Sequence, residues 1–262
     1  MKRFNGFFLF LLLLASILEG HQIRISASQA KRMGEKIWQN ESGQSIAGLT
    51  AWNEGEEFAS VGIGHFIWFP QSATTPPFKE TFPELVAFFQ KNQVPLPDWL
   101  SPKQACPWNE RQAFYQAFES EKMEDLRELL ENTVDLQIYF MVERLKRSLP
   151  LLLANLDQAE QKKIRFQFQR LCQSSAGLYA LLDYINFKGE GVLESESYQG
   201  EGWGLRHVLL QMKGKGPGAV AEFAQCAKAV LAKRVQNAPP HRNEVRWLKG
   251  WYNRLDTYPA FS

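Results

Sequence analysis

Residues 36–70 read KIWQNESGQSIAGLTAWNEGEEFASVGIGHFIWFP, and the change of pattern inside this stretch decides the fold class. Up to Glu41 the spacing is helical. Ala30, Met33, Gly34, Ile37, Trp38 and Glu41 fall on one face, with Ser28 available as N-cap, and Asn40, Ser42 and Gly43 supply stop signals. After the acidic turn NEGEE (residues 53–57) the chain becomes ASVGIGHFIWF, a strand-like run in which Gly62 and Gly64 mark a bend or a close backbone approach. A helix followed by a short hairpin, in a chain otherwise helical, predicts an α+β fold that is predominantly α.

The same stretch carries the candidate chemistry. Glu41 closes the apolar face of its helix, and a carboxyl on the buried side of a helix end suits a general acid, because desolvation disfavours its charged form. A solvated Glu at a frayed helix end is the competing reading. If extended backbone begins at the acidic turn, Glu54, Glu56, Phe58 and Ser60 share one strand face, while Glu57, Ala59 and Val61 share the other. That parity pairs Ser60 with Glu54 or Glu56 and disfavours Glu57. A carboxylate beside a small hydroxyl can hold and polarise a water, although many acidic turns before hairpins are only solvated loops. Two carboxylates flanking a bond are the minimum apparatus for glycoside cleavage.

Outward from this stretch the chain is mostly helical. Periodicity marks helices near residues 83–92, 109–118, 120–132, 134–149, 158–171, 176–187, 203–212 and 219–235, and an amphipathic closing segment at 241–258. Residues 71–107 are otherwise loop-like, with TTPP and VPLPDWLSP, and read as an insertion or a crossing segment that packs Phe88, Phe89 and Trp99. The Gly-, Ser- and Glu-rich run after Gly189 and Gly191 reads as a loop. At 262 residues and 45% hydrophobic content, the chain can bury a sizeable core as one large domain or two closely packed small ones.

Lys2 and Arg3 precede an apolar run from Phe7 to Leu14 that continues weakly to Leu18, the pattern of a secretory leader within residues 1–27 or of an uncleaved N-terminal anchor. The expectation is an exported chain, periplasmic or extracellular, touching a membrane only through that segment. Without Lys2 and Arg3 the formal charge of +2 falls to near zero, which gives no support to nucleic-acid binding. The tail is locally basic, with Lys233, Arg234, His241, Arg242, Arg246 and Lys249; a solvated helix face is favoured over a surface for an anionic polymer. Cys106, Cys172 and Cys226 lack metal-ligand spacing, and in an exported chain one pair of them is a candidate disulfide. No phosphate-cradling loop or metal-ligand cluster stands out, so neither a cofactor nor a metal is expected.

Three patches resemble the lysozyme superfamily, most closely the phage-type lysozymes and endolysins of glycoside hydrolase family 24. They are Glu41 with the acidic turn and SVGIGH (residues 60–65), ALLDYINFKGEG (residues 180–191), and the Arg/Trp-bearing tail of residues 242–258. The resemblance implies a two-lobed lysozyme-like fold over residues 28–262, with a small β-hairpin lobe, a helical lobe and an insertion at about 74–106. It implies a muramidase acting on the β-1,4 bond between N-acetylmuramic acid and N-acetylglucosamine in peptidoglycan glycan strands. Glu41 takes the place of the family's acid, Ser60 of its Thr and Glu54 of its Asp, while His65 takes a structural place. The interval from Glu41 to Ser60 is longer than in the phage enzymes, and a Glu replaces the Asp, so Glu56 competes with Glu54 as partner. Trp52, Trp68 and Trp203 are the expected lining of the groove. A lytic transglycosylase, which needs one acid and no second carboxylate, and a non-catalytic glycan-binding envelope protein are the alternatives.

Overall fold

The computed structural model describes residues 23–73 and 79–261; the apolar N-terminal run and residues 74–78 of the segment read as an insertion lie outside the described residues. The fold is α+β and predominantly α. Ten helices are described, α1 (Ala27–Ser42), α2 (Phe82–Lys91), α3 (Arg111–Gln116), α4 (Glu121–Asn132), α5 (Val134–Leu153), α6 (Gln158–Cys172), α7 (Ser175–Lys188), α8 (Leu205–Gln211), α9 (Ala219–Asn237) and α10 (Val245–Asp256). Five short strands accompany them: β1 (Thr50–Ala51), β2 (Ala59–Val61), β3 (Phe66–Trp68), β4 (Ser197–Tyr198) and β5 (Glu201–Gly202).

α7 is the central element. Every residue from Gly177 to Ile185 is buried, so this stretch leaves no face for solvent and is surrounded by α1, α5, α6, α8 and α9. The crossing with α6 is close: a methyl group built on Gly177 would stand 2.0 Å from the Leu171 carbonyl oxygen. α1 lies across α5 and α7 through Ala30, Met33, Gly34 and Ile37. Its N-cap is Ser26, not Ser28. Ser26 forms a capping box with Gln29, and Gly43 ends the helix in the left-handed conformation.

β1, β2 and β3 form an antiparallel sheet in that order, with Ser60 opposite Ala51 on one side and Ile67 on the other. The SVGIGH segment is the tight turn between β2 and β3, where Gly62 adopts φ +77 and His65 φ +47. Residues 53–56 form a turn and regular strand begins only at Ala59, so the strand parity that joined Glu54 and Glu56 to the face of Ser60 does not hold. A pleat cannot align side chains that precede it.

The hairpin turn is anchored to the helices by one buried side chain. Gln137 of α5 is fully buried; its Oε1 accepts from Ile63 N at 2.9 Å, and its Nε2 donates to the Leu130 carbonyl at 2.7 Å. Gln137→Leu would leave Ile63 N without its buried acceptor and take the shorter of two side-chain donors from the Leu130 carbonyl, for an expected loss of roughly 2–4 kcal/mol of stability. Equilibrium denaturation measures this, and a change under about 0.5 kcal/mol would mean that the turn does not depend on Gln137.

The segment read as an insertion is integrated into the core. Phe82, Leu85, Val86 and Phe89 of α2 are buried against α5 and β3, and Trp99 stacks at 6.5 Å on Trp68. A bridge between Pro70 and Cys106 closes the segment at its base. β4 and β5 form a two-stranded hairpin inside what the composition suggested was a loop. All three cysteines are free thiols rather than a disulfide pair and a remainder. Burial pushes the pKa of both Cys106 and Cys172 up to about 12. Among the described residues no helix is long and apolar enough to cross a membrane.

Candidate active site around Glu41

Asp183 is the one acidic residue in the apolar stretch of α7, and its side chain is fully buried. A carboxylate there requires compensation, which three donors supply. Arg254 of α10 makes a two-pronged contact, Nε to Oδ2 and Nη2 to Oδ1, both at 2.8 Å, and the Tyr258 hydroxyl donates to Oδ2 at 2.6 Å. Arg254 Nη2 also reaches Glu41 Oε1 at 2.5 Å, in the last turn of α1. Burial works against the Arg254 charge, but Asp183 and Glu41 outweigh it and hold its pKa well above the ordinary guanidinium value. Burial, then Asp183, drives the Tyr258 pKa well upward, so Tyr258 serves as a donor.

The other oxygen of Glu41 faces the hairpin. Oε2 lies 3.5 Å from His65 Nδ1, and the Glu41 side chain retains 14% exposure. The turn that presents His65 is tied to α7 by Asn186, whose Nδ2 donates to the Gly64 carbonyl at 2.8 Å. Glu41 is therefore not the isolated carboxyl that an apolar helix face suggested. It is clamped between two basic side chains from opposite directions, one of them 213 residues away in sequence. His65, expected to be structural, belongs to this cluster.

No protein-family model, curated protein or solved structure matched the chain. The site's chemistry therefore rests on its own geometry.

Glu54 and Glu56 differ in their surroundings. Glu54 is exposed in the turn, whereas Glu56 is half-buried and accepts from Asn53 Nδ2 at 3.0 Å. Burial raises the Glu56 pKa, opposed by the Asn53 hydrogen bond and by the nearby His65. His65 thus faces Glu41 and also lowers the Glu56 pKa, against the larger effect of burial. A cleft of about 460 Å³ opens beside it, lined in part by Glu57, Ser72, Asn109, Glu110 and Arg111. Ser60 is only 4% exposed within the sheet and does not pair with Glu54 or Glu56 by strand register.

The three tryptophans expected along a groove are largely buried, Trp52 at 2%, Trp68 at 0% and Trp203 at 6% exposure, although Trp52 also borders the cleft beside Glu56. Their apolar area favours burial, and the indole N–H groups find backbone partners inside, Trp52 on the Glu56 carbonyl at 2.7 Å and Trp68 on the Gln104 carbonyl at 2.9 Å. Trp203 lies beneath the Arg234 guanidinium at 4.0 Å. Arg234 also departs from the solvated face expected of the basic tail. It makes a two-pronged pair with Glu244 at 2.7 and 2.8 Å, to which the Tyr198 hydroxyl donates at 2.9 Å.

The aromatic residues nearest the Glu41 cluster are ones the sequence reading did not single out. Phe187, at the end of α7, lies under the Arg254 guanidinium at 4.3 Å, and Trp251 of α10 packs edge-on against Phe187 at 6.4 Å. The ammonium of Lys188 sits between them. Among the described residues, no group of three or more His, Cys, Asp and Glu side chains is arranged to hold a metal ion.

Proposed function

We propose that this chain is an exported peptidoglycan hydrolase, a muramidase in which Glu41 is the general acid that protonates the leaving glycosidic oxygen. One observation carries the reading. The three sequence patches that resemble phage-type lysozymes meet at one carboxyl, with Glu41 held by Arg254 of the tail and by His65 of the GIGH turn, which Asn186 of the central helix fixes in place. Elements from three parts of the chain hold this carboxyl in one place, which proton transfer at a fixed geometry requires. Glu56, half-buried beside the cleft of about 460 Å³, is assigned the second role, orienting the attacking water.

The burial of Ser60 and the exposure of Glu54 favour a second reading, the lytic transglycosylase, because they thin out the water-activating apparatus and leave a single well-built acid. The full-length protein is expected to solubilise purified peptidoglycan, measured as released muropeptides. Retention on peptidoglycan without release would assign the fold to glycan binding instead.

A further inference from the structure

Beside Glu41 runs a row of five side chains in which cations and rings alternate: Arg254, Phe187, Lys188, Trp251 and Arg234. Arg254 Cζ is 4.3 Å from the Phe187 ring centre, and Lys188 Nζ is 3.8 Å from the same ring and 3.6 Å from that of Trp251. Arg234 Cζ follows at 5.2 Å from Trp251. Both ends of the row are neutralised within the fold, Arg254 by Asp183 and Glu41, Arg234 by Glu244. The middle cation is not. Among the described residues, Lys188 makes no ion pair with a carboxylate.

Two rings and the C-terminal end of α7 attract a cation, but together they amount to less than a carboxylate in contact. Burial accordingly pushes the Lys188 pKa well below the ordinary lysine value; Arg234 and Arg254 push the same way, against partial opposition from Glu244 and Glu41. Those two acids are held by the arginines. An anionic group brought by a ligand would favour the protonated amine and pair with it, and Lys188 shares the Phe187 ring with the arginine that holds Glu41.

We propose that Lys188 binds a carboxylate of the substrate, so that the site selects acidic glycan strands over neutral polymers of N-acetylglucosamine. This rests on the peptidoglycan reading and adds its specificity determinant. The carboxylate has two possible sources, the lactyl ether of peptide-free strands and the stem peptide of intact material.

The test is co-sedimentation of full-length protein in a Glu41→Gln background, with and without Lys188→Met, which keeps the apolar stem between the rings and removes the charge. The polymers are intact peptidoglycan, peptidoglycan with its carboxyls amidated, peptide-free glycan strands, and chitin. Lys188→Met is expected to weaken binding to intact peptidoglycan roughly tenfold, and Lys188→Arg to restore most of it. Amidation should weaken the protein that retains Lys188 equally and the Lys188→Met variant no further, and chitin binding should not change. Lys188 dependence on peptide-free strands assigns the lactyl group, and dependence only on intact material assigns the stem peptide; both support the proposal. Equal binding to intact peptidoglycan with and without the Lys188→Met substitution, or an equal loss on chitin, would overturn it. If the wild type never cleaves but this carboxylate dependence holds, the hydrolase reading fails and the inference stands; cleavage with Lys188-independent binding is the reverse.

Discussion

Glu41→Gln is expected to lower turnover on peptidoglycan by roughly 10²- to 10⁴-fold while leaving the melting temperature nearly unchanged. The amide has the shape of the carboxyl and keeps an oxygen that can accept from Arg254 Nη2, so the contact between α1 and α10 persists. What it lacks is the proton to give to a leaving oxygen. Arg254 loses one counter-charge but retains both hydrogen bonds to Asp183, which is why the fold should tolerate the change. Turnover within about threefold of wild type would remove Glu41 from the chemistry.

Arg254→Met is expected to have the largest effect on stability, about 3–5 kcal/mol by equilibrium denaturation. The substitution leaves Asp183 fully buried with the Tyr258 hydroxyl as its remaining donor, and deprives Glu41 of its closest one. Removing one member of a buried charged cluster costs far more than the cluster contributes net, because the remaining charge has lost its exchange with water. The double variant Arg254→Met with Asp183→Asn should recover part of the loss, since the orphaned charge is gone. A loss below about 1 kcal/mol for Arg254→Met would mean that the cluster does not hold α7 and α10 together.

The fold was legible where local pattern and burial agree. The helical spacing that ends at Glu41 is α1, the bend at Gly62 is the β2–β3 turn, and the closing amphipathic segment is α10. It was less legible where local composition misleads. The Gly- and Glu-rich run around residues 197–202 hides a hairpin whose pairing is set by its turn rather than by apolar alternation. Ser28 is as good a capping residue as Ser26, and only the reciprocal bond with Gln29 separates them.

The site was half legible. Glu41 could be found from its place at the end of an apolar face, but its partners could not, because periodicity says nothing about contacts 213 residues apart. One signal was available in the sequence. Asp183 is an acid inside ALLDYI, a run too apolar to leave any face for solvent, so it demanded a buried cation, and Arg254 is the one that α10 delivers. Trp68 and Trp203 misled for a physical reason: a large flat ring is as valuable in a core as in a sugar groove, and composition does not tell the two apart.

The most direct measurement of the central claim is digestion of purified peptidoglycan by the full-length protein in ¹⁸O-labelled water, with mass analysis of the released muropeptides. A muramidase in which Glu41 donates a proton and water attacks gives reducing muramic acid ends carrying one ¹⁸O, and Glu41→Gln gives none. Release of unlabelled anhydro-muramic ends, or no release by the wild-type protein, would contradict it.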